Sequence, residues 1–422
     1  MDAKEYLKTH LTRAWGFTTD ITVERADGIY LYAKDGRKFI DFTSGHAVMN
    51  IGYSHPKVVE AVKAQAEKFF HSGSIFYYDS LAALAERLSG ITPPGMDRFF
   101  FSNSGSEAVE GAIKLARYKT GRKVLISFNG AFHGRTMGAL SLTSSSSHYR
   151  SRYEPLLPSV YQVDYPYCFR RPCGGAKETC ELNCVGEIER LFAHIVSPKD
   201  VAAFIIEPVL GEGGYVPAPE GFLRALREIC DSHGILLIFD EVQSGMGRTC
   251  KWFALEHYKV IPDIITVAKG IASGLPLSAI ISRADLMDDW ESGAHGTTFG
   301  GNPVACAAAS ATIDAIKEEH ILEKAEKLSR GVYSRLFALQ EKADSIGDVR
   351  GLGYMIGIEF MRKGEPDGNA VKKMKEECLK KGLVILDAGT YKNVIRLVPP
   401  LITSPDEMDE ALRIFEEAAL TL

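Results

Sequence analysis

Three apolar runs in this 422-residue chain end on charged side chains: VAAFIIEP on Glu207, ILLIFDEV on Asp240 and Glu241, and DIITVAKG on Lys269. Lys269 stands among small and apolar neighbours in ITVAKGIASGLP, where an unpaired ammonium is costly to bury. Such a lysine can mark a strand end and snorkel to water. It can also lose its proton in a desolvated site and act as a nucleophile for Schiff-base chemistry. Continuous apolar runs of this kind read as strands buried on both faces of a parallel sheet. Ligands of open α/β sheets bind at the carboxyl ends of the strands. Charges delivered there by three strands converge on one crevice, where a lysine and an aspartate are easier to bury together than alone.

A Schiff-base lysine with an acidic partner, joined by a phosphate site, is the set that pyridoxal 5'-phosphate needs. The carboxylate keeps the pyridine nitrogen protonated, so that the ring accepts electrons from a carbanion at the substrate carbon. FSNSGSEAVEGAIK offers the phosphate site, because Ser104, Gly105 and Ser106 lead into a helix whose free N–H groups bind anions. Taken alone, the same stretch also reads as an N-terminal capping box.

Elements must hold these residues in place. The runs 123–128, 201–208, 235–242 and 263–270 alternate with helical stretches such as PEGFLRALREICDSHG, as in βαβ units. HPKVVEAVKAQAEKFF and SEAVEGAIKLARYKTG read as amphipathic helices, the second closing on Gly121. Short strands precede them, with DGIYLYAKDGRKFIDF alternating around the turn KDGR. From about residue 311 long charged helices give way to GYMIGIEF, NVIRLVPP and a final helix. The expected organisation is an N-terminal segment 1–54 that joins a small domain, a large α/β domain over 55–310, and a C-terminal α+β domain over 311–422.

Hydrophobic residues make up 45% and charged residues 24%, the balance of a soluble globular protein. A formal net charge of −5 gives no reason to expect nucleic acid or an anionic membrane as partner. No apolar stretch approaches the roughly 18 residues of a membrane span, and MDAKEYLKTHLTRAW lacks the apolar core of a signal peptide. The expected location is the cytoplasm. Cys168, Cys173, Cys180 and Cys184 are spaced C-x4-C-x6-C-x3-C without a C-x2-C pair, a loose match to zinc sites, and read as a cysteine-rich loop without metal.

FDEVQSGMGRT followed by ITVAKGIASGLPLSA resembles the class III aminotransferases, as do NSGSEAVEGAIKLAR, GAFHGRT, IIEPVLGEGG, TTFGGNPVAC and GDVRGLG. The resemblance runs from about residue 20 to the C-terminus. It implies the fold-type I architecture, with a mostly parallel central sheet flanked by helices and a smaller α+β domain built from the two chain ends. It also implies a homodimer with active sites at the interface.

Carried over residue by residue, Lys269 is the Schiff-base lysine and proton carrier, and Asp240 pairs with the pyridine nitrogen. Gln243 serves the ring hydroxyl side, and Phe132 in GAFHGRT stacks on the ring, with His133 beside it in the same cofactor segment. Gly105 and Ser106 hold the phosphate, and Thr298 in TTFGGN reaches the phosphate of the neighbouring subunit.

Within the family the pattern is similar to that of 4-aminobutyrate and related ω-amino acid aminotransferases, which pass the amino group to 2-oxoglutarate by a ping-pong route. Arg396 sits where an α-carboxylate is held, and Glu212 in GEGG matches the glutamate that covers that arginine when the substrate has no α-carboxylate. Such a swing avoids an uncompensated buried charge. Arg135 in FHGRT matches the arginine for the distal carboxylate, its alternative being a strand-to-loop salt bridge. Glu207 is placed with the substrate residues. His46 departs from the pattern, standing where an aliphatic residue is common; it either lines a polar entrance or hydrogen-bonds a longer substrate. A racemase or epimerase of the same family is the alternative activity.

Overall fold

In the computed structural model, which describes residues 3–170 and 182–422, seven strands form the central sheet. Their spatial order is Arg98–Ser102, Ser278–Ser282, Ile264–Val267, Leu236–Asp240, Val201–Ile206, Val124–Asn129 and Val160–Asp164. Ser278–Ser282 runs antiparallel to both of its neighbours, and the remaining pairs of the sheet are parallel. Val201–Ile206, Ile264–Val267 and Ser278–Ser282 are buried along their whole length, which is why their sequences do not alternate.

The two faces of the sheet build separate cores. Ala203, Ile205, Ile238, Ile264 and Ile280 meet Val109, Ala112 and Ile113 of helix Gly105–Thr120. On the other face Phe204, Ile206, Leu237 and Phe239 lie in one cluster with Phe222, Leu223, Leu226 and Cys230 of helix Phe222–His233. Burying each large apolar side chain contributes ~1.5–3 kcal/mol, so the register that sets the chemistry is fixed from both sides. In that register Asp240 pairs with Thr266 and Phe239 with Ile206. Glu207, Asp240 and Lys269 therefore emerge at one edge.

The chain ends come together away from this sheet. Strands Val23–Asp27, Tyr30–Ala33 and Lys38–Asp41 continue into Leu383–Val384, and a second sheet carries Ile346–Leu352, Met355–Arg362, Val394–Leu397 and Leu386–Ala388. The boundary expected between 310 and 311 falls inside helix Pro303–Glu318, which packs on helices Pro56–Ala66 and Asp79–Ser89. Its alanine-rich first half carries no charge, so the shift in composition comes later than the start of the helix.

Of the clustered cysteines, Cys173 and Cys180 lie outside the described residues. Among the described residues no group of His, Cys, Asp and Glu side chains is placed to hold a metal ion. No helix among them is long and apolar enough to cross a membrane.

Candidate active site

A cleft of about 340 Å³ opens at the carboxyl edge of the sheet. It is lined by Gly105, Ser106, Phe132, His133, Glu207, Asp240, Gln243 and Lys269, along with Val48, Asn103 and other residues. Lys269 follows strand Ile264–Val267 at φ +45°, and its side chain makes no hydrogen bond or ion pair among the described residues. Burial lowers its pKa, Glu212 opposes that shift, and Arg396 adds to it.

Asp240 closes strand Leu236–Asp240 and is buried. Its Oδ1 accepts from Val242 N at 3.0 Å and from Thr266 Oγ1 at 3.2 Å. His133 Nδ1 lies 2.7 Å from its Oδ2, and because a carboxylate only accepts, Nδ1 carries the proton. Three donors on a group with about four acceptor directions leave one free. His133 Nε2 is buried without a partner.

Around this pair the cleft is built from tight main-chain approaches. Helix Gly105–Thr120 begins with a complete capping box, Ser104 to Glu107 N and Glu107 back to Ser104 N. The capping reading of SNSGSEA is thus correct for Ser104, while Gly105 and Ser106 face the cleft with first-turn N–H groups. Ser106 Oγ accepts from Arg135 N at 3.1 Å. Gly134 between them sits at φ +130°, and a Cβ there would lie 2.2 Å from that Oγ. Glu207 spends both oxygens on backbone, accepting from Phe132 N and Gly211 N at 2.9 Å each. Burial raises its pKa to about 7. Tyr215 OH donates to Gln243 Oε1 at 2.5 Å, which orients the amide so that its Nε2 is the donor left over.

Five expected residues are not in this lining. Arg396, on strand Val394–Leu397 and 5% exposed, pairs through Nη1 with Glu212 Oε1 at 2.5 Å. Burial pushes Glu212 up, but Arg396 and Lys269 outweigh it and hold the carboxyl below its usual range. Arg135 forms no ion pair among the described residues. Its guanidinium rests over the Tyr149 ring, 4.4 Å from the centroid, and 5.7 Å from that of Phe132. The salt-bridge alternative for Arg135 finds no partner among the described residues.

His46 sits in a turn where Ser44, Gly45, His46 and Ala47 all have φ between 45° and 66°. Left-handed backbone costs ~1–2 kcal/mol per non-glycine residue, and the turn is held by Ser44 Oγ donating to Val398 O at 2.5 Å and Thr43 N to Asp41 Oδ1 at 2.8 Å. Partial burial and the charge of Arg396 lower the His46 pKa. Thr298 is exposed and is not part of the lining of the cleft of its own chain.

The family described as aminotransferase class-III matches residues 13–419. The chain belongs to the class-III aminotransferase family. A probable 4-aminobutyrate aminotransferase of Bacillus subtilis is 40% identical over 93% of this chain and 91% of its own length. An alanine/serine racemase of Pyrococcus horikoshii is 41% identical over 94% of this chain and 85% of its own length. Among solved structures, an amine transaminase from an uncultivated Pseudomonas species, in its PLP-bound form, superposes with a TM-score of 0.91 at 30% identity, over 98% of both chains.

This aminotransferase depends on pyridoxal phosphate, and its cleft has the donor set for it. Asp240 keeps one acceptor direction, Lys269 is a desolvated amine, and the helix start at Gly105 presents N–H groups to an anion. Sequence reading passed over several residues around that set. Thr266 and Val242 hold Asp240, Tyr215 holds Gln243, and Tyr149 carries Arg135. Tyr149 follows a run of serines that shows no periodicity, and Arg350 in GDVRGLG was visible as a motif without a role.

Proposed function

We propose that this aminotransferase takes the amino group from an ω-amino acid, with 4-aminobutyrate the best candidate, and delivers it to 2-oxoglutarate in a ping-pong cycle. The observation that carries this reading is the Arg396–Glu212 pair, together with an Arg135 that forms no ion pair among the described residues. A substrate without an α-carboxylate leaves the pair closed, and its distal carboxylate goes to Arg135. An α-carboxylate takes Arg396, and Glu212 rotates away. The resemblance to the Bacillus subtilis enzyme supports the same substrate class.

When bound, pyridoxal phosphate supplies an electrophilic carbon for amines and a ring that accepts the electrons left on the substrate carbon. Lys269 would provide the attachment, and its Nζ, with a pKa lowered by burial, would be the group that carries the proton at the substrate carbon. Asp240, fixed by His133 and Thr266, would hold a proton on the ring nitrogen. Gly105 and Ser106 would hold the phosphate, Phe132 would pack on the ring, and Gln243 would donate toward the ring hydroxyl. Glu207 shapes the cleft wall through Phe132 and Gly211. His46 lines the mouth and tunes the fit of the substrate chain.

A homodimer completes this proposal. Phe70, Ile75, Phe76, Tyr77 and Phe299 are large apolar side chains left exposed, and Asn302 Nδ2 ties the two segments by donating to Phe70 O at 2.8 Å. Exposed apolar side chains of this kind support association, with Thr298 beside Phe299 delivered to the neighbour's phosphate. The chain divides into segment 1–54, a large unit 55–310 and a small unit 311–422, with helix Pro303–Glu318 as the element they share.

A single half-reaction tests the activity. The loaded protein is given 4-aminobutyrate without any oxo acid, and the visible absorption of the cofactor is followed. Loss of the band with formation of the amine form supports the proposal. A band that persists while an α-amino acid exchanges its α-proton for deuterium overturns it in favour of racemisation, the activity in the name of the Pyrococcus horikoshii relative.

A further inference from the structure

Arg350 lies outside the cleft, on strand Ile346–Leu352, with a side chain 8% exposed. Its Nη1 donates to Glu359 at 2.7 Å and to Asp348 at 2.8 Å. Its remaining donors converge on one main-chain oxygen, that of Gly214, Nη2 at 2.7 Å and Nε at 3.1 Å. The Tyr167 ring packs against the guanidinium at 4.8 Å. Glu359, 1% exposed, also takes donors from Tyr167, Arg170 and Asn393.

Both ends of this network lead to the substrate pair. Gly214 is two residues beyond Glu212, at φ +125°. The Glu212 carbonyl is itself held by Gly389 N at 2.8 Å. Asn393 immediately precedes strand Val394–Leu397, where Arg396 pairs with Gly357 and Val394 with Glu359 of Met355–Arg362. The Glu212 loop and the Arg396 strand thus meet at Arg350.

A carbonyl in a loop needs only a neutral donor, or water, to be satisfied. Burying Arg350 and Glu359 there is a poor way to gain stability, since desolvation offsets much of their attraction. Buried ionic groups are better attested as devices that fix register. A rigid guanidinium with two prongs on one oxygen fixes both the place and the direction of that oxygen.

We infer that Arg350 is a positioning residue, which clamps the Gly214 carbonyl and, through Glu359 and Asn393, the Arg396 strand, and so sets the gap that Glu212 must span to cover Arg396. With the main chain held, substrate exchange reduces to rotation of the Glu212 side chain. This inference rests on the two-substrate exchange proposed above. It makes the preference between ω-amino and α-amino substrates depend on a residue that touches neither.

The test compares Arg350→Lys with Glu212→Gln and the double variant, in separate half-reactions with 4-aminobutyrate and with glutamate. Lysine keeps the charge beside Asp348 and Glu359 but cannot also hold Gly214. The ratio of the two rates is expected to move about tenfold toward glutamate, the worth of a charge-assisted hydrogen bond. In the Glu212→Gln background the same change is expected to move it by less than about threefold, because coupled residues are not additive.

Calorimetric binding of 2-oxoglutarate to the cofactor-free protein, which needs Arg396 uncovered, is expected to tighten in Arg350→Lys. If that variant does not fold, Asn393→Ala cuts the network at its neutral end and is expected to shift the ratio in the same direction. Equal slowing of both half-reactions, or a ratio shift that persists undiminished without Glu212, overturns the inference. A Glu212→Gln protein with an unchanged ratio overturns the two-substrate reading, and this inference with it. A shift there with none in Arg350→Lys or Asn393→Ala overturns the inference alone.

Discussion

Replacing Glu212 by glutamine leaves Arg396 buried and without its counter-charge. Glu212 is the only ion-pair partner of Arg396 among the described residues, and Arg396 Nε is buried with no hydrogen bond. Two unit charges 4 Å apart at an effective dielectric of 20 attract by about 4 kcal/mol, and removing one member of a buried pair costs about 3–5 kcal/mol. Glutamine keeps an acceptor oxygen, so ~3 kcal/mol is expected, a fall in melting temperature of roughly 3–5 °C for a chain of this size.

The same energy governs substrate choice. An α-carboxylate no longer has to displace Glu212, whereas an ω-amino substrate meets an uncovered cation. The ratio of glutamate to 4-aminobutyrate half-reaction rates is expected to rise by about 10², measured by stopped-flow absorbance of the loaded protein. A glutarate-dependent recovery of melting temperature, larger than in the parent protein, is the second readout. Because the folded-state pKa of Glu212 is lowered, its contribution to stability is present above the carboxyl's unfolded value and lost as pH falls through the lowered one. The Glu212→Gln protein should lack that acid-side loss. Equal slowing of both half-reactions, or an unchanged ratio, would refute the switch.

Other perturbations probe separate parts of the site. Arg135→Met is expected to raise KM for 4-aminobutyrate roughly 10–100-fold, as expected for losing a charge-assisted contact, while amines without a distal carboxylate react as before; steady-state comparison of the two substrates checks it. Lys269→Met is expected to abolish covalent attachment of the cofactor, seen by mass spectrometry after borohydride reduction. The cofactor-free Lys269→Met protein should also melt higher than its parent at neutral pH. A lysine with a lowered folded pKa destabilises most below that value, so the gain should shrink as pH rises toward the unfolded pKa of about 10.4. Gly134→Ala puts a methyl against Ser106 Oγ in a backbone conformation that favours glycine; cofactor affinity is expected to fall about tenfold or more, read by equilibrium dialysis, since strain of this kind costs ~1–3 kcal/mol.

The sequence by itself determined the local elements and what stands at their ends. Unbroken apolar runs alternating with helical stretches read as strands buried on both faces, and the strand-end rule then puts Glu207, Asp240 and Lys269 on one edge. A capping box and a closing glycine marked helix Gly105–Thr120 at both ends. Those signals are local, carried by periodicity and by which main-chain groups lack partners.

Tertiary structure alone decided which charges meet. His133 and Asp240 are 107 residues apart, Glu212 and Arg396 184, and Arg350 and Gly214 136. Resemblance to the family suggested that Glu212 and Arg396 work together. Nothing local indicated that Arg135 lies on Tyr149, that Thr266 steadies Asp240, or that Arg350 grips the loop of Glu212. Such partners are chosen by the packing of whole sheets and helices, and spacing along the chain carries no record of the choice. The helix Pro303–Glu318 is a further case: its alanines look featureless in sequence, and only the surfaces it packs against give it a place in the fold.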